Sequence, residues 1–235
     1  MEDEPQPAAL KALAMRGPLA DRLALIAADF HDRLGDYSRA IDQLVARLHA
    51  AEATRAIPAL GEEFPDFILP DAQGKLWHLA EALGDGPVLL SFHRGYWCDF
   101  CNLNMKALAE LSTDLAAHGC RIAAIAPQNA VNVGLLARDA GAEFPVLCDV
   151  DLALATSLGL VYVVGDTLQD ELARLDVDLG AEQIGNGATL PITATFLLDG
   201  AGRIVARHVD PDPRARMESE AILQATLGVQ SAARS

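Results

Sequence analysis

Apolar residues recur at helical spacing near the start of the chain: Leu19, Leu23, Ile26 and Phe30, then Ile41, Leu44 and Leu48 after a break at Gly35-Asp36. This pattern predicts helices up to about Ala56. Pro5, Pro7 and Pro18 limit how early each can begin. From Ile57 the texture changes. Phe64–Asp71 reads as short strand and turn and Leu76-Trp77-His78-Leu79 as a second short strand, with a hairpin signal at Gln73-Gly74-Lys75. A short helix, Leu79 to Leu83, follows. Apolar runs at Val88–Phe92, Arg121–Ala126 and Pro145–Cys148 then alternate with helical stretches at Asn102–Ala117, Ala130–Ala140 and Leu152–Leu158. Thr195–Asp199 and Ile204–Val209 form a hairpin around Gly200-Ala201-Gly202, and a last helix runs from about Glu218 to Leu227. Alternating strands and helices imply a largely parallel central sheet, flanked by helices and closed by an antiparallel hairpin.

Three regions follow: a helical arm (1–56), an α/β domain (57–228) and a flexible tail (229–235). The arm shows no chemistry and reads as a packing or dimerising appendage. Asp166 to Leu175 reads as an inserted helix, and Gly180 to Gly187 as a mobile loop. The acidic cluster Asp170, Glu171, Asp176 and Asp178 reads as a solvated face, and Asp149 and Asp151 as caps for the helix at Leu152.

At 235 residues and 51% hydrophobic, the chain is large enough for a substantial core. Its net charge of −15 argues against nucleic acid and anionic membrane as partners. No apolar run approaches the roughly 18–20 residues that span a bilayer, and Met1-Glu2-Asp3-Glu4 is unlike a secretory signal. These features predict a cytoplasmic protein with reduced thiols. Four cysteines are too few for a disulfide framework. Cys120 and Cys148 read as buried free thiols.

Cys98 and Cys101 carry the chemistry. They form Trp97-Cys98-Asp99-Phe100-Cys101 where a strand meets a helix. A thiolate is the nucleophile of thiol chemistry, and an ordinary cysteine, with a pKa of about 8.5, is mostly protonated at neutral pH. The free N–H groups and dipole of a helix start stabilise a thiolate. Attack by one sulfur gives a mixed disulfide or a sulfenic acid, which the other resolves. Arg94 adds a positive charge nearby, and His93 can add another or face the sheet or solvent. Asp99 opposes a neighbouring thiolate. Trp97 reads as a packing lid over the sulfurs. Structural zinc would need two further ligands, and no second paired Cys or His motif exists. No metal or other cofactor is expected.

These residues resemble the AhpC/TSA (alkyl hydroperoxide reductase/thiol-specific antioxidant) redoxins of the thioredoxin superfamily, in their peroxiredoxin-like subgroup. The likeness runs from about Phe64 to Val209. It rests on Phe64–Asp71, Ser91–Leu103, Phe144–Asp149 and Thr195–Asp199, with Asp210-Pro211-Asp212 as a late segment. It implies a thioredoxin-like α/β fold, a central mixed sheet flanked by helices, here with an N-terminal helical extension. It also implies a redox-active Cys98–Cys101 disulfide and a homodimer. An ungapped match to the peroxiredoxin motif puts Arg94 at its proline, Cys98 at its threonine and Cys101 at its peroxide-reacting cysteine. The family's second arginine falls at Thr193, which is also the cis-proline position of thioredoxins. The thioredoxin match instead makes Cys98 the exposed nucleophile and Cys101 the deeper partner.

Three functions follow from the resemblance and the motif. The leading one is a thiol peroxidase that reduces a hydroperoxide and is recycled by thioredoxin, a glutaredoxin or a small thiol. The others are a thiol–disulfide oxidoreductase and a non-enzymatic redox sensor.

Overall fold

The computed structural model describes residues 7–233 apart from 184 and 186. The arm is three helices: α1 (Ala8–Ala14), α2 (Leu19–Arg33) and α3 (Gly35–Ala50). α1 and α2 begin directly after Pro7 and Pro18, where proline's fixed φ suits a helix entry. The break between α2 and α3 is at Leu34, whose backbone leaves the helical region.

The domain proper starts with a hairpin, β1 (Ile68–Pro70) and β2 (Leu76–His78), and a short helix α4 (Leu79–Leu83). The main elements then follow as β3 (Val88–Phe92), α5 (Asp99–Ala117), β4 (Arg121–Ala126), α6 (Ala130–Ala140) and β5 (Val146–Cys148). A 3-10 turn (Val150–Leu152), α7 (Ala153–Ser157), β6 (Val161–Val163), α8 (Asp166–Arg174), α9 (Leu179–Glu182) and β7 (Thr189–Pro191) lead to β8 (Ala194–Leu198), β9 (Ile204–Val209) and α10 (Ser219–Ala233).

The central sheet has the order β5-β4-β3-β8-β9. β3 pairs parallel with β4 and antiparallel with β8, so the sheet is mixed, as expected. Every residue of β3 is buried, which fits a central strand covered on both faces. Alternate residues face opposite ways. Leu90 and Phe92 join a core with Phe196 and Ile125, to which the arm adds Tyr37, Ile41, Leu44 and Leu48. Leu89 faces a second core beneath α5 and α10, with Leu108, Leu111, Leu115 and Ile222. Each such side chain contributes about 1.5–3 kcal/mol by burial.

Some elements differ from the sequence reading. β6 and β7 form a separate antiparallel pair, where no strand was expected. Leu179–Glu182 is helical, because the Asp178 carboxylate accepts from the Gly180 and Ala181 N–H groups. α10 continues to Ala233, so a helix replaces most of the predicted tail; residues 234 and 235 lie outside the described residues. Asp149 alone caps α7, accepting from the Leu154 and Ala155 N–H groups at 2.9 Å. Among the described residues no helix is long and apolar enough to cross a membrane.

Candidate active site

β3 ends at Phe92, between Ile125 of β4 and Ala194 of β8. The chain therefore leaves the middle of the sheet carrying His93 and Arg94, both fully buried. It then turns at Gly95, whose φ is +149°. A Cβ there would stand 2.7 Å from Gln128 Cδ and 2.8 Å from Trp97 Nε1, so only glycine fits. Gln128 holds this turn: its Oε1 accepts from the Tyr96 N–H at 2.6 Å, and its Nε2 donates to Glu182 at 2.9 Å. Cys98 is the N-cap of α5, and Cys101 lies in the first turn.

No disulfide joins the two; all four cysteines are free. Cys101 is the better-supplied sulfur. The Arg94 backbone N–H donates to it at 3.4 Å and Arg216 Nη2 at 3.7 Å. Burial alone would raise its pKa. That is outweighed by hydrogen bonds from Cys98 and His93 and by the charges of Arg216 and Arg94, so Cys101 sits well below an ordinary thiol. Cys98 moves the opposite way, pushed well above by burial and by its bond to Cys101. Of the two sulfurs, Cys101 is therefore the one whose surroundings favour the thiolate. Asp99 beside them is raised by burial first and then by the Cys101 charge.

Two arginines serve the pair. Arg94 Nη2 lies 3.1 Å from Cys98 Sγ, and its guanidinium stacks over Trp97 with 5.1 Å to the ring centroid. The phenols of Tyr37 and Tyr162 interact with the same guanidinium. Arg94 Nε and Nη1 have no hydrogen-bond partner. Burial pushes Tyr37 up to about 12, so it stays a neutral phenol. Arg216 comes from the segment between β9 and α10, and its Nη1 donates to Thr193 Oγ1 at 2.9 Å. His93 Nε2 shares a hydrogen bond with Ser91 Oγ at 3.0 Å.

The structure thus brings Cys98, Cys101, Arg94, Trp97 and Thr193 together. It also adds Arg216, Tyr37 and Tyr162, which the sequence did not assign, and buries His93, read as a second nearby charge or as facing the sheet or solvent. Arg216 lies far along the chain from the motif, and its one signal was the paired Arg214-Ala215-Arg216 before the last helix. Tyr37 was hidden in an apolar stripe.

One expectation is corrected. Cys98 is not an exposed nucleophile: it is 3% accessible and Cys101 0%. The arm packs, as its apolar stripe predicts, and its target is the dithiol itself: Ala12, Leu19, Leu23 and Ile26 cluster with Cys98, Phe100, Cys101 and Leu103. Trp97 touches this cluster but is only half-buried; α2 supplies most of the lid. Cys120 and Cys148 are buried in other parts of the core. Among the described residues no group of three or more His, Cys, Asp or Glu side chains is arranged to hold a metal ion. A groove of about 1140 Å³ lies elsewhere, lined by Trp77, Arg121 and Phe144 among others, and does not reach the dithiol.

A mixed sheet that delivers a buried dithiol to the start of a helix defines a thioredoxin-type redox protein. The model of the AhpC/TSA family matches residues 60–207, and the chain belongs to that family. Its sequence is similar to the thiol-disulfide oxidoreductase ResA of Bacillus anthracis, 25% identical over 160 residues, or 68% of this chain and 75% of that one. ResA of Geobacillus thermodenitrificans is 29% identical over 147 residues, 62% of this chain and 67% of that one. The fold is shared with reduced Prx3 of Vibrio vulnificus, solved in complex with hydrogen peroxide. That match has a TM-score of 0.57 and 19% identity, over 72% of this chain and 99% of that one. It is also shared with peroxidoxin BcpB of Mycobacterium tuberculosis, with a TM-score of 0.54 and 19% identity over 73% and 96%. The family and the names of these relatives support an oxidoreductase activity.

Proposed function

We propose that the chain is a thiol-dependent peroxidase that reduces hydrogen peroxide or an organic hydroperoxide through a Cys98–Cys101 cycle. One observation carries the reading. Arg216 reaches both Thr193 and Cys101, and so supplies the second cation that the chain lacks at Thr193. Cys98 takes the donor role of the missing threonine, and its thiol also provides the resolving sulfur.

The Cys101 thiolate attacks the distal oxygen of the hydroperoxide. The O–O bond breaks, and the departing alkoxide or hydroxide takes one proton and leaves as alcohol or water. Cys101 becomes a sulfenic acid, oxidised by two electrons. Cys98 then attacks its sulfur; the S–S bond forms and the sulfenic oxygen leaves as water. A thioredoxin, a glutaredoxin or a small thiol returns two electrons and two protons. Arg94 and Arg216 stabilise negative charge on sulfur and on the leaving oxygen, in a site where water does not screen them. The near-complete burial of both sulfurs favours a small oxidant over a folded protein as the first substrate.

The test is peroxide consumption by wild type, Cys101→Ser and Cys98→Thr, with mass spectrometry of the products. Cys101→Ser should lose the reaction. Cys98→Thr should keep one rapid turnover and accumulate a sulfenic acid on Cys101. A sulfenic acid found on Cys98 in the wild type would reverse the roles, and thiol loss no faster than that of free cysteine would end the peroxidase reading.

A second reading, thiol–disulfide exchange, is favoured by the sequence likeness to ResA. Reduction of a model protein disulfide at a rate matching or exceeding that with peroxide would make it the primary activity.

A further inference from the structure

The segment Arg214-Ala215-Arg216-Met217-Glu218 has no regular secondary structure after Arg214, yet every second residue grips something different. Arg214 Nη2 pairs with Asp42 of α3 at 2.8 Å. Arg216 holds Cys101 and Thr193. The Glu218 carboxylate accepts from the Leu19 N–H at 2.9 Å and the Ala20 N–H at 2.7 Å. Those are the first two amides of α2, and the N-cap there is Pro18, which has no side-chain oxygen. Glu218 therefore caps, from the far end of the chain, the helix that covers the dithiol.

The grips are linked through charge. In the reduced site the buried Arg216 guanidinium donates to Cys101 Sγ and the buried Arg94 guanidinium to Cys98 Sγ, so the anion of the dithiol faces both cations. Formation of the disulfide removes that anion. Arg216 Nε already lacks a partner, and a buried guanidinium without a counter-charge is strongly disfavoured. The relief open to it is to move toward water, and Glu218 lies two residues along the same unstructured segment. We propose that Arg214–Glu218 is a redox-operated latch, with Glu218 a positioning residue: it holds α2 closed over the reduced dithiol and releases it when the Cys98–Cys101 disulfide forms, opening the disulfide to its thiol reductant. This rests on the dithiol cycle above but not on the identity of the oxidant.

The experiment is hydrogen exchange of the full chain, reduced and after oxidation by diamide. Diamide accepts two electrons and two protons as the disulfide forms, so no peroxide chemistry is involved. Intact mass verifies the intramolecular disulfide. Amides of α2 should exchange about tenfold faster in the oxidised form, the scale of one charge-assisted hydrogen bond. Equal protection in the two states overturns the latch. Failure of diamide to form the disulfide overturns the latch and the dithiol cycle together. If diamide opens α2 but peroxide leaves the thiols intact, the peroxidase reading alone falls.

A variant tests the joint directly. In the reduced chain Glu218→Gln should speed alkylation of the Cys98–Cys101 pair by iodoacetamide about tenfold. Cys120, buried under a different helix, should react at the wild-type rate. Glu220→Gln, whose carboxylate bonds Gln224, should leave both rates unchanged. An equal rise at Cys120 signals general loosening and overturns the proposal, as does a wild-type rate at the pair.

Discussion

At the scale of the residue, the charges and donors around Cys101 favour its thiolate over that of Cys98. Arg216→Met removes a charge and a donor from Cys101, so its pKa should rise. The rate of thiol loss to peroxide should fall on the order of 10²-fold, the usual cost of one lost anion donor. Titration of thiolate ultraviolet absorbance reads the first effect and stopped-flow thiol loss the second. An unchanged titration would remove Arg216 from the site. The same shift has a consequence for stability. Cys101 is lowered in the folded state, so its contribution is fully present above the unfolded thiol pKa of about 8.5. It is lost as pH falls through the folded value. Urea midpoints of the reduced wild type should therefore fall toward lower pH more steeply than those of Cys101→Ser. The motif itself was legible because Cys98 and Cys101 are neighbours in the chain. Arg216 was not, because its contact with Cys101 spans 115 positions and an arginine beside aspartates reads as surface.

At the scale of the element, legibility followed length and locality. β3 was readable as a continuous apolar run, and α5 as a long helix with a stripe. β6 and β7 were not, although β1, β2 and β5 are equally short: among the described residues they pair only with each other, across an insert and away from the central sheet. The cap of α7 was readable because Asp149 stands just ahead of it. Asp149→Ala strips two buried amides of their acceptor and should cost about 1–3 kcal/mol. Chemical denaturation checks this, with Glu220→Ala as an exposed comparison. A loss below the error of the fit would mean that water or another group satisfies those amides.

At the scale of the whole molecule, the arm and the α/β domain form one packed body, since Tyr37 to Leu48 share a core with β3 and β8. A net charge of −15 presses outward on that body. Its melting temperature should rise by a few degrees, about 2–5, between very low ionic strength and 0.15 M monovalent salt, as screening relaxes the self-repulsion. A flat response would mean that local ion pairs already neutralise the field. The joint between Leu19 and Glu218 spans 199 positions of sequence. Contacts that distant are made late, because the loop must close before they repay it. On the ribosome the cysteines are made long before residue 218, so if Glu218 holds α2 down, the thiols of nascent chains should be labelled faster than those of the finished molecule. The youngest molecules would then be the ones most open to stray oxidation.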